Sequence, residues 1–351
     1  MTALVNSIEQ FEVAGSHFEV GLAIGRRFAE QIRRMLDSYS FFQEQVLPYH
    51  HTPEGQARYR ELLEVNRARY PDYIAELEGL AQGVQRPFED LFLVNMRGEY
   101  SGYLYGLGRR GCSDCAVVTD EVALMGHNED GSPVFRGNLY LVHVKVEDKP
   151  AFTALSYPGF LCGNAFGFNA EGVCFSVDSV GPRDVRVGVG RHFIAHSLLE
   201  ARSLEDAIER VIVPGRASGF SYTIGSISER RVVLVEVAPG AHHVREVRGA
   251  YFHTNHYLEL TDVDQVVGPS SQARLERANV FIQDNPSLDA AGVLTILGDR
   301  ADEQYPVYRT ATPPDGGATL CTALFDLDAR QLRIFTAHPT EDPEECIALA
   351  M

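Results

Sequence analysis

The chain has 351 residues, of which 45% are hydrophobic and 23% charged, a composition typical of globular proteins with a substantial buried core. Its 29 Arg and 2 Lys stand against 48 acidic residues, and the basic residues are scattered, which argues against nucleic acid as a partner. No stretch approaches the roughly 20 apolar residues that span a bilayer, so no membrane partner is predicted.

The first fifteen residues lack the basic and apolar regions of a secretory signal, so the sequence predicts a cytoplasmic protein. Six cysteines in a chain of this length do not form the dense disulfide framework of a small secreted domain. Free thiols are expected, and one of them is a candidate nucleophile.

Residues 1 to about 105 have mostly helical patterns. Ser16 and Glu19 have the spacing of a capping box, and apolar residues recur at helical spacing from there to Tyr39. Pro71 breaks the next helical stretch into two. Further helices are therefore predicted over residues 54–69, 71–83 and 87–96.

The sequence pattern changes from helical to strand-like after residues 105–111, which form a short, basic, glycine-rich connection. A meander of six strands is predicted at 115–119, 122–126, 140–146, 152–157, 165–169 and 173–177. Helices follow at 192–201 and 203–211, strands at 222–226, 232–237, 243–247 and 251–255, helices at 272–282 and 290–297, and a hairpin at 320–326 and 331–336. Blocks of strands between paired helices predict stacked sheets with helices on the outside.

The most informative motif lies where the helical pattern gives way to strands, at Gly111-Cys112-Ser113-Asp114-Cys115. A redox dithiol is one interpretation, although such pairs begin a helix and here a strand follows. A zinc knuckle is another, but no second pair stands at ligand spacing. Four of the cysteines sit in or beside apolar strands and are expected to be small core residues: Cys115, Cys162, Cys174 and Cys321.

Cys112 differs because glycine precedes it at the boundary between helix and sheet, a position that suits chain cleavage. Attack of its thiol on the Gly111 carbonyl would give a thioester, whose hydrolysis leaves Cys112 as a new N-terminus. The freed α-amine, with a pKa of about 8, could then act as general base for its own thiol.

The stretch from Gly111 to Ala116, followed by Gly126-His127-Asn128-Glu129-Asp130, resembles the autoproteolytic N-terminal nucleophile hydrolases of the acyl-CoA:6-aminopenicillanate acyltransferase family. The resemblance extends from about residue 15 to about residue 343. Several stretches look most similar to the members that hydrolyse N-β-alanyl amines. They are Gly126 to Asp130, Arg191 to Ile194, Ser270-Ser271, Leu297 to Asp299 and Phe325 to Arg330.

The resemblance implies an α+β fold of four αββα layers, with a helical N-terminal segment. It further implies cleavage into a helical segment, 1–111, and a catalytic segment, 112–351, that remain together. Cys112 matches the nucleophile, Asp130 the carboxylate that holds the new α-amine, and Asn255 the amide of the oxyanion hole. The segments carry −3 (12 − 15) and −14 (19 − 33), so apolar helix faces rather than opposite charges are expected to join them.

Three more residues are predicted to bind substrate. His127 stands where related bile-salt and penicillin V hydrolases carry arginine, and Asn128 follows it. Asp178 stands where the acyltransferase has asparagine, and an acid there would suit an ammonium group of the substrate. His253 and His256 flank Asn255 without a third ligand nearby in sequence. No metal and no cofactor are therefore expected at the active site.

The predicted reaction is transfer of an acyl group from a small N-acyl amine, β-alanyl amines first among the candidates, to the Cys112 thiol and then to water. The same thioester could pass to an amine, which would make the protein an acyltransferase. Two other classes stay open: a non-catalytic binding protein on the same scaffold, and a dithiol redox protein that requires Cys115. Arg97 and Glu99 are expected to pair with the body of the protein and to fix the helical segment against the nucleophile.

Overall fold

The computed structural model describes residues 8–104 and 111–351, and only the backbone of 101–104. The predicted connection over residues 105–110 lies outside the described part, as do residues 1–7. Residues 8–104 form one strand, seven α-helices and a short π-helix. They are β1 (Glu9–Gly15), α1 (His17–Arg27), α2 (Ala29–Ser38), a π-helix (Phe42–Val46), α3 (Leu47–His50), α4 (Pro53–Arg69), α5 (Pro71–Val84), α6 (Phe88–Asn95) and α7 (Arg97–Leu104).

The helix boundaries follow local sequence signals. Ser16 caps α1 by accepting from the Glu19 amide, and the Glu19 carboxylate accepts from the Ser16 amide, so the predicted capping box is present. Pro71 opens α5, where its missing amide hydrogen costs no helical hydrogen bond. The helix predicted from Ser16 to Tyr39 is two helices, because the chain leaves helical geometry at Phe28 (φ −108°, ψ 19°).

Residues 111–351 supply thirteen strands and four helices. They are β2 (Ser113–Val118), β3 (Ala123–Gly131), β4 (Tyr140–Val146), β5 (Phe152–Ser156), β6 (Phe166–Asn169), β7 (Val173–Ser179), α8 (Arg191–Ser197), α9 (Leu204–Val211), β8 (Phe220–Ser226), β9 (Arg231–Val237), β10 (His242–Glu246), β11 (Gly249–His253), α10 (Pro269–Asp284), α11 (Ala290–Leu297), β12 (Ala318–Asp326), β13 (Gln331–Phe335) and β14 (Cys346–Ala350). Short 3₁₀ turns occupy Pro133–Phe135 and Leu198–Glu200.

The strands form two sheets that pack face to face. One has eight strands in the order β1-β4-β5-β6-β7-β8-β9-β10, and the other has six in the order β11-β2-β3-β12-β13-β14. The helices α8 and α9 cover the outside of the larger sheet together with α1, and α10 and α11 cover the smaller one. The predicted αββα layering is therefore confirmed.

Two features of the sheets differ from the predictions. The predicted six-stranded meander is divided, because β2 and β3 belong to one sheet and β4 to β7 to the other. Strands β1 and β14 were not predicted. The first pairs in parallel with β4 over seven residues, from Glu9 opposite Tyr140 to Gly15 opposite Val146, so the N-terminal segment contributes an edge strand to the larger sheet.

Among residues 8–104 and 111–351, no helix has the length and apolar character needed to cross a membrane.

Candidate active site

Cys112 lies immediately before β2, in the interior between the two sheets. Side chains alternate along a strand, and Ala116 packs into the main core while Cys115 and Val117 pack on the opposite face of the sheet against α11. Cys112 is 5% exposed. Its sulfur, a His127 ring nitrogen and a Glu129 carboxylate oxygen lie within 4.8 Å of one another. Because Cys115 faces away from Cys112, the geometry gives no support to a dithiol.

The peptide bond before Cys112 is held by two long-range partners. The Gly111 carbonyl accepts a hydrogen bond from Nη1 of Arg309 at 3.0 Å. A Cβ atom on Gly111 would lie 1.9 Å from Nδ2 of Asn255, so the asparagine amide is in close contact with this residue. Glycine is required here by that approach, and the carbonyl carbon next to the thiol is polarised by a cation.

Arg274, on α10, fixes the neighbouring groups. Its Nη1 donates to the Cys112 carbonyl at 2.8 Å and to Ser113 Oγ at 2.6 Å, and its Nη2 donates to Oδ1 of Asn255. Burial and the charge of Arg309 lower the pKa of Arg274 to about 10, so it stays a cation at neutral pH. With Oδ1 engaged, the Asn255 amide donates from Nδ2, which lies 3.0 Å from the Ser179 carbonyl.

Asp130, at the end of β3, has one satisfied and one unsatisfied carboxylate oxygen. Oδ1 accepts from Oγ1 of Thr319 at 2.7 Å, whereas Oδ2 is buried, 3.8 Å from Nη1 of Arg309, and has no hydrogen bond within the described part of the chain. Burial raises the pKa of Asp130 to about 6, although Arg309 and Arg274 oppose the shift. The free oxygen is an acceptor without a donor next to the Gly111–Cys112 bond.

His127 is held between two acids. Its Nδ1 lies 2.6 Å from Oδ1 of Asp114, its register partner on β2, and its Nε2 lies 3.0 Å from Oε2 of Glu129. Burial lowers the pKa of His127, but the charge of Asp114 and the hydrogen bonds outweigh it, and the pKa is raised well above 6.5. As an imidazolium with both nitrogens engaged, His127 is placed to balance buried charge, and its contact with substrate stays a prediction. Because both ring nitrogens of the imidazolium carry a hydrogen, His127 has no free lone pair for a metal ion.

The thiol itself is kept protonated in the uncut chain. Burial raises the pKa of the Cys112 thiol well above its ordinary value, and the negative charge of Glu129 adds to the shift. The other Glu129 oxygen accepts from the Tyr157 hydroxyl. The thiol therefore needs a base before it can react.

A second buried histidine, His253, also lies between two acidic side chains. His253 on β11 binds Oδ2 of Asp178 at 2.8 Å through Nδ1, and Oε1 of Glu236 at 3.1 Å through Nε2. The Oδ1 atom of Asp178 is buried and has no hydrogen bond to any residue that the structure describes. Burial and the charge of Asp114 raise the pKa of Asp178 to about 7. Its unpaired oxygen is free to accept from a bound cation.

Asn128, predicted to bind substrate, faces the layer of α11 rather than the interior that holds Cys112. It points to the opposite face of β3 from His127, where Nδ2 donates to the carbonyls of Leu297 at 2.8 Å and Val307 at 3.2 Å. Its Oδ1 accepts from Oγ1 of Thr322 at 2.7 Å. Strand alternation decides this outcome, since adjacent residues of β3 face different layers. Asn128 anchors the end of α11.

Sequence reasoning missed Arg274, Arg309 and the roles of Asp114 and Glu129. Asp114 follows Cys112 by two residues, and Glu129 follows His127 by two residues. Residues two apart in a strand share a face, so this spacing is the signal that could have indicated both roles. The arginines lie 162 and 198 residues from their carbonyl partners, and nothing local marks them.

Two further predictions concern packing. Cys115, Cys162, Cys174 and Cys321 are all buried and free. Glu99 accepts from the Arg191 amide at 2.8 Å, and Nη1 of Arg97 lies 3.3 Å from Nε2 of His192, so both pair with the body of the protein, at α8 rather than at the nucleophile.

The chain matches the model of the acyl-coenzyme A:6-aminopenicillanic acid acyl-transferase family over residues 117–341. It is 29% identical to the beta-alanyl-dopamine/carcinine hydrolase of Drosophila melanogaster over 364 residues, covering 95% of this chain and 93% of that protein. It is 27% identical to the 40 kDa form of acyl-coenzyme A:6-aminopenicillanic-acid-acyltransferase of Emericella nidulans, covering 83% and 82%. Among solved structures, penicillin V acylase from Agrobacterium tumefaciens aligns at a TM-score of 0.43 and 14% identity, over 64% of this chain and 83% of that one.

Proposed function

Because the chain belongs to the acyl-coenzyme A:6-aminopenicillanic acid acyl-transferase family, we propose that it is an amide hydrolase that activates itself by cutting its own Gly111–Cys112 bond. The observation that carries this proposal is the hydrogen bond from Arg309 to the Gly111 carbonyl, one residue before the buried Cys112 thiol. A carbonyl polarised by a buried cation next to a thiol is arranged for acyl transfer.

Self-cleavage begins when the Cys112 sulfur attacks the Gly111 carbonyl carbon. The oxyanion that develops there is stabilised by Arg309, and Glu129, within 4.8 Å of the sulfur, can accept the thiol proton. Collapse of the tetrahedral intermediate breaks the C–N bond between Gly111 and Cys112. The proton taken from the thiol passes to the departing nitrogen, which gives a thioester and a free α-amine on Cys112. Water then releases Gly111 as a carboxylate and regenerates the thiol.

After cleavage, the new α-amine supplies a second base, which belongs to Cys112 itself. It takes the Cys112 proton while the sulfur attacks the substrate amide, and it returns that proton to the leaving amine. The unpartnered Oδ2 of Asp130 is placed to accept from the ammonium form. Asn255, whose amide direction is set by Arg274, donates to the substrate oxyanion. Water then hydrolyses the acyl thioester.

The proposed substrates are small N-acyl amines whose acyl group carries an ammonium, as a β-alanyl group does. The similarity to the Drosophila hydrolase supports this class. The interior supports it too, because two buried histidines each lie between two buried acids. The acids are Asp114, Glu129, Asp178 and Glu236, with His127 and His253 between them. Within that group, the unpaired Oδ1 of Asp178 is the proposed partner of the ammonium.

The activity requires Cys112 as a free thiol, which is the form of all six cysteines in the structure. A reducing compartment preserves that form. We therefore propose the cytoplasm as the site of action.

The test is the intact mass of denatured, freshly purified protein beside two variants. Two fragments, ending at Gly111 and beginning at Cys112, are expected for the wild type and for Cys115→Ala, the matched control whose thiol faces the other side of β2. Cys112→Ala should stay uncut. An uncut wild type would leave a non-catalytic binding protein as the surviving interpretation, and loss of activity in Cys115→Ala would favour the redox one.

Substrate class is tested on the cut enzyme with β-alanyl-dopamine, with and without an added amine. Free β-alanine as the product under both conditions is expected for a hydrolase. A new amide of the added amine would identify an acyltransferase, the activity named for the Emericella relative.

A further inference from the structure

The backbone of Asn255 is held by a contact that the mechanism proposed above does not use. Asn255 follows His253, the last paired residue of β11, by two positions. Its backbone amide finds an acceptor outside the sheet, because it donates to Oγ of Ser271, the third residue of α10, at 2.8 Å. Asn255 is 3% exposed and Ser271 is 2% exposed, so bulk water does not compete for this hydrogen bond.

Ser271 also contacts the residues on either side of Asn255. Oγ1 of Thr254 donates to the Ser271 carbonyl at 3.0 Å. The Ser271 hydroxyl lies 3.0 Å from Oγ1 of Thr254 and 2.7 Å from Nδ1 of His256. A hydroxyl with this many partners has its hydrogen and both lone pairs engaged. The acceptor of the Asn255 amide is therefore fixed in place at the start of α10.

The side-chain amide of Asn255 has one hydrogen left for a substrate. Its Oδ1 accepts from Arg274, and one of the two hydrogens on Nδ2 goes to the Ser179 carbonyl at 3.0 Å. A Cβ on Gly111 would lie 1.9 Å from Nδ2. Gly111 supplies the acyl group of the bond before Cys112, so the amide lies beside the place that the acyl group of a substrate takes.

The orientation and the location of this donor have separate supports. Arg274 and Ser179 set the rotation of the side-chain amide. The distance from the amide to an oxyanion depends instead on where the backbone of Asn255 lies. A preorganised donor acts only within hydrogen-bond reach of the developing charge, and a misplacement of about 1 Å can cost about a hundredfold in rate. The bond from the Asn255 backbone to Ser271 is the support that sets this distance.

We propose that Ser271 is a positioning residue for Asn255 in amide hydrolysis, an assignment that rests on the function proposed above. The hydroxyl acts through the backbone of Asn255 rather than on the reacting atoms. The preceding serine has another partner, since Oγ of Ser270 lies 3.3 Å from Oδ2 of Asp315. Self-cleavage uses Arg309 as its oxyanion donor and should not require the Ser271 hydroxyl.

The test measures kcat and KM of the cut enzyme with β-alanyl-dopamine. Ser271→Ala should lower kcat by about 10- to 100-fold and leave KM within about twofold, because the donor is misplaced in the transition state while the groups that bind substrate remain. Ser203→Ala is the matched control. Its hydroxyl also accepts from a backbone amide at the start of a helix, that of Asp206 at 3.1 Å, but on the outside of the larger sheet. The control should lose stability and keep the wild-type kcat.

A double-mutant cycle separates positioning from a general structural role. In an Asn255→Ala background, Ser271→Ala should change kcat by less than about twofold, since the group through which it acts is gone. A further loss of about tenfold or more in that background would overturn the assignment. Wild-type kcat in Ser271→Ala alone would overturn it too. A Ser271→Ala chain that stays uncut would place the residue in self-cleavage instead.

Hydrogen exchange tests the assignment without any activity. In the uncut Cys112→Ala chain, Ser271→Ala should speed exchange of the Asn255 backbone amide by about tenfold, because its acceptor is removed. Equal exchange rates would overturn the assignment, and this measurement decides if Asn255→Ala stays uncut. Faster exchange in a protein that hydrolyses no amide would confirm that Ser271 positions Asn255 and overturn the proposed function alone.

Discussion

Arg309 shows how one residue can join the chemistry of cleavage to the packing of the interior. It donates to the Gly111 carbonyl at 3.0 Å and forms a buried ion pair with Asp315. We expect Arg309→Gln to slow self-cleavage by about 10²- to 10³-fold, because the oxyanion loses a preorganised donor. The measurement is the fraction of cut chain against time after synthesis, followed by mass.

Arg277→Gln is the control for that experiment, because Arg277 pairs with Asp299 at the protein surface and touches neither Gly111 nor Cys112. Its cleavage rate should match the wild type. Wild-type kinetics in Arg309→Gln would remove Arg309 from the mechanism.

The ionised carboxylate of Asp130 is the form that the proposed mechanism needs, but its burial lowers the stability of the fold. Its pKa is raised from 3.8 to about 6 by burial, so the folded protein binds the proton more tightly than the unfolded chain does. The ionised form is therefore destabilising: stability is lost as pH rises from about 4 through about 6, and the deficit persists at neutral pH. In an uncut Cys112→Ala background, Asp130→Asn should raise the free energy of unfolding by about 1–3 kcal/mol at pH 7.5.

That gain should disappear near pH 4, where Asp130 is protonated in both the folded and unfolded states. The measurement is denaturant unfolding at both pH values. A variant less stable than its parent at pH 7.5 would contradict the pKa shift, and would mean that the pairing of Asp130 with Arg309 stabilises the fold.

At the scale of elements, the contact between α1 and α5 depends on paired glycines. Gly21 and Gly25 on α1 face Gly79 and Gly83 on α5, and a Cβ at Gly79 would lie 2.1 Å from the Phe18 carbonyl oxygen. Backbone atoms cannot move aside as a side chain can. Gly79→Ala should force the helices apart and lower the free energy of unfolding by about 1–3 kcal/mol.

Denaturant unfolding of the uncut chain measures this effect, and Gly316→Ala is the matched control, because no atom of the described residues would lie within 4 Å of a Cβ at that position. The control should be nearly neutral. Equal stabilities of the two variants would show that α1 and α5 separate without cost.

The helical segment also extends the larger sheet. Strand β1 pairs with β4 in parallel over seven residues, a pairing that no hydrophobic run at the N-terminus predicted. The strand alternates exposed and half-buried residues, which is the pattern of an edge rather than of a central strand. Its position follows from the packing of α1, which it directly precedes.

At the scale of the whole molecule, the two predicted segments are joined by more than apolar helix faces. The expectation that no opposite charges join them is wrong, because net charge does not describe buried pairs. His17 lies 3.1 Å from Glu200 across the segments. Asn66 of α4 also donates to the Gly188 carbonyl at 3.2 Å and accepts from the Gly190 amide at 2.9 Å.

These contacts predict that cleavage leaves one particle. The cut enzyme should elute from size exclusion at the volume of the Cys112→Ala precursor, and the two fragments should separate only under denaturing conditions. Elution of a free fragment of residues 112–351 without denaturant would contradict the prediction.

The sequence by itself determined most of the elements, the layered fold class and the family, because capping residues, prolines, apolar periodicity and the motif around Cys112 are all local signals. It could not separate the faces of β3, and so gave His127 and Asn128 the same predicted role although they face different layers. Only the tertiary structure brought Arg274 and Arg309 to the carbonyls of Cys112 and Gly111, across 162 and 198 residues. Contacts at that separation arise when sheets and helices pack, since the partners share no local pattern, and the environment that shifts a buried pKa forms only then.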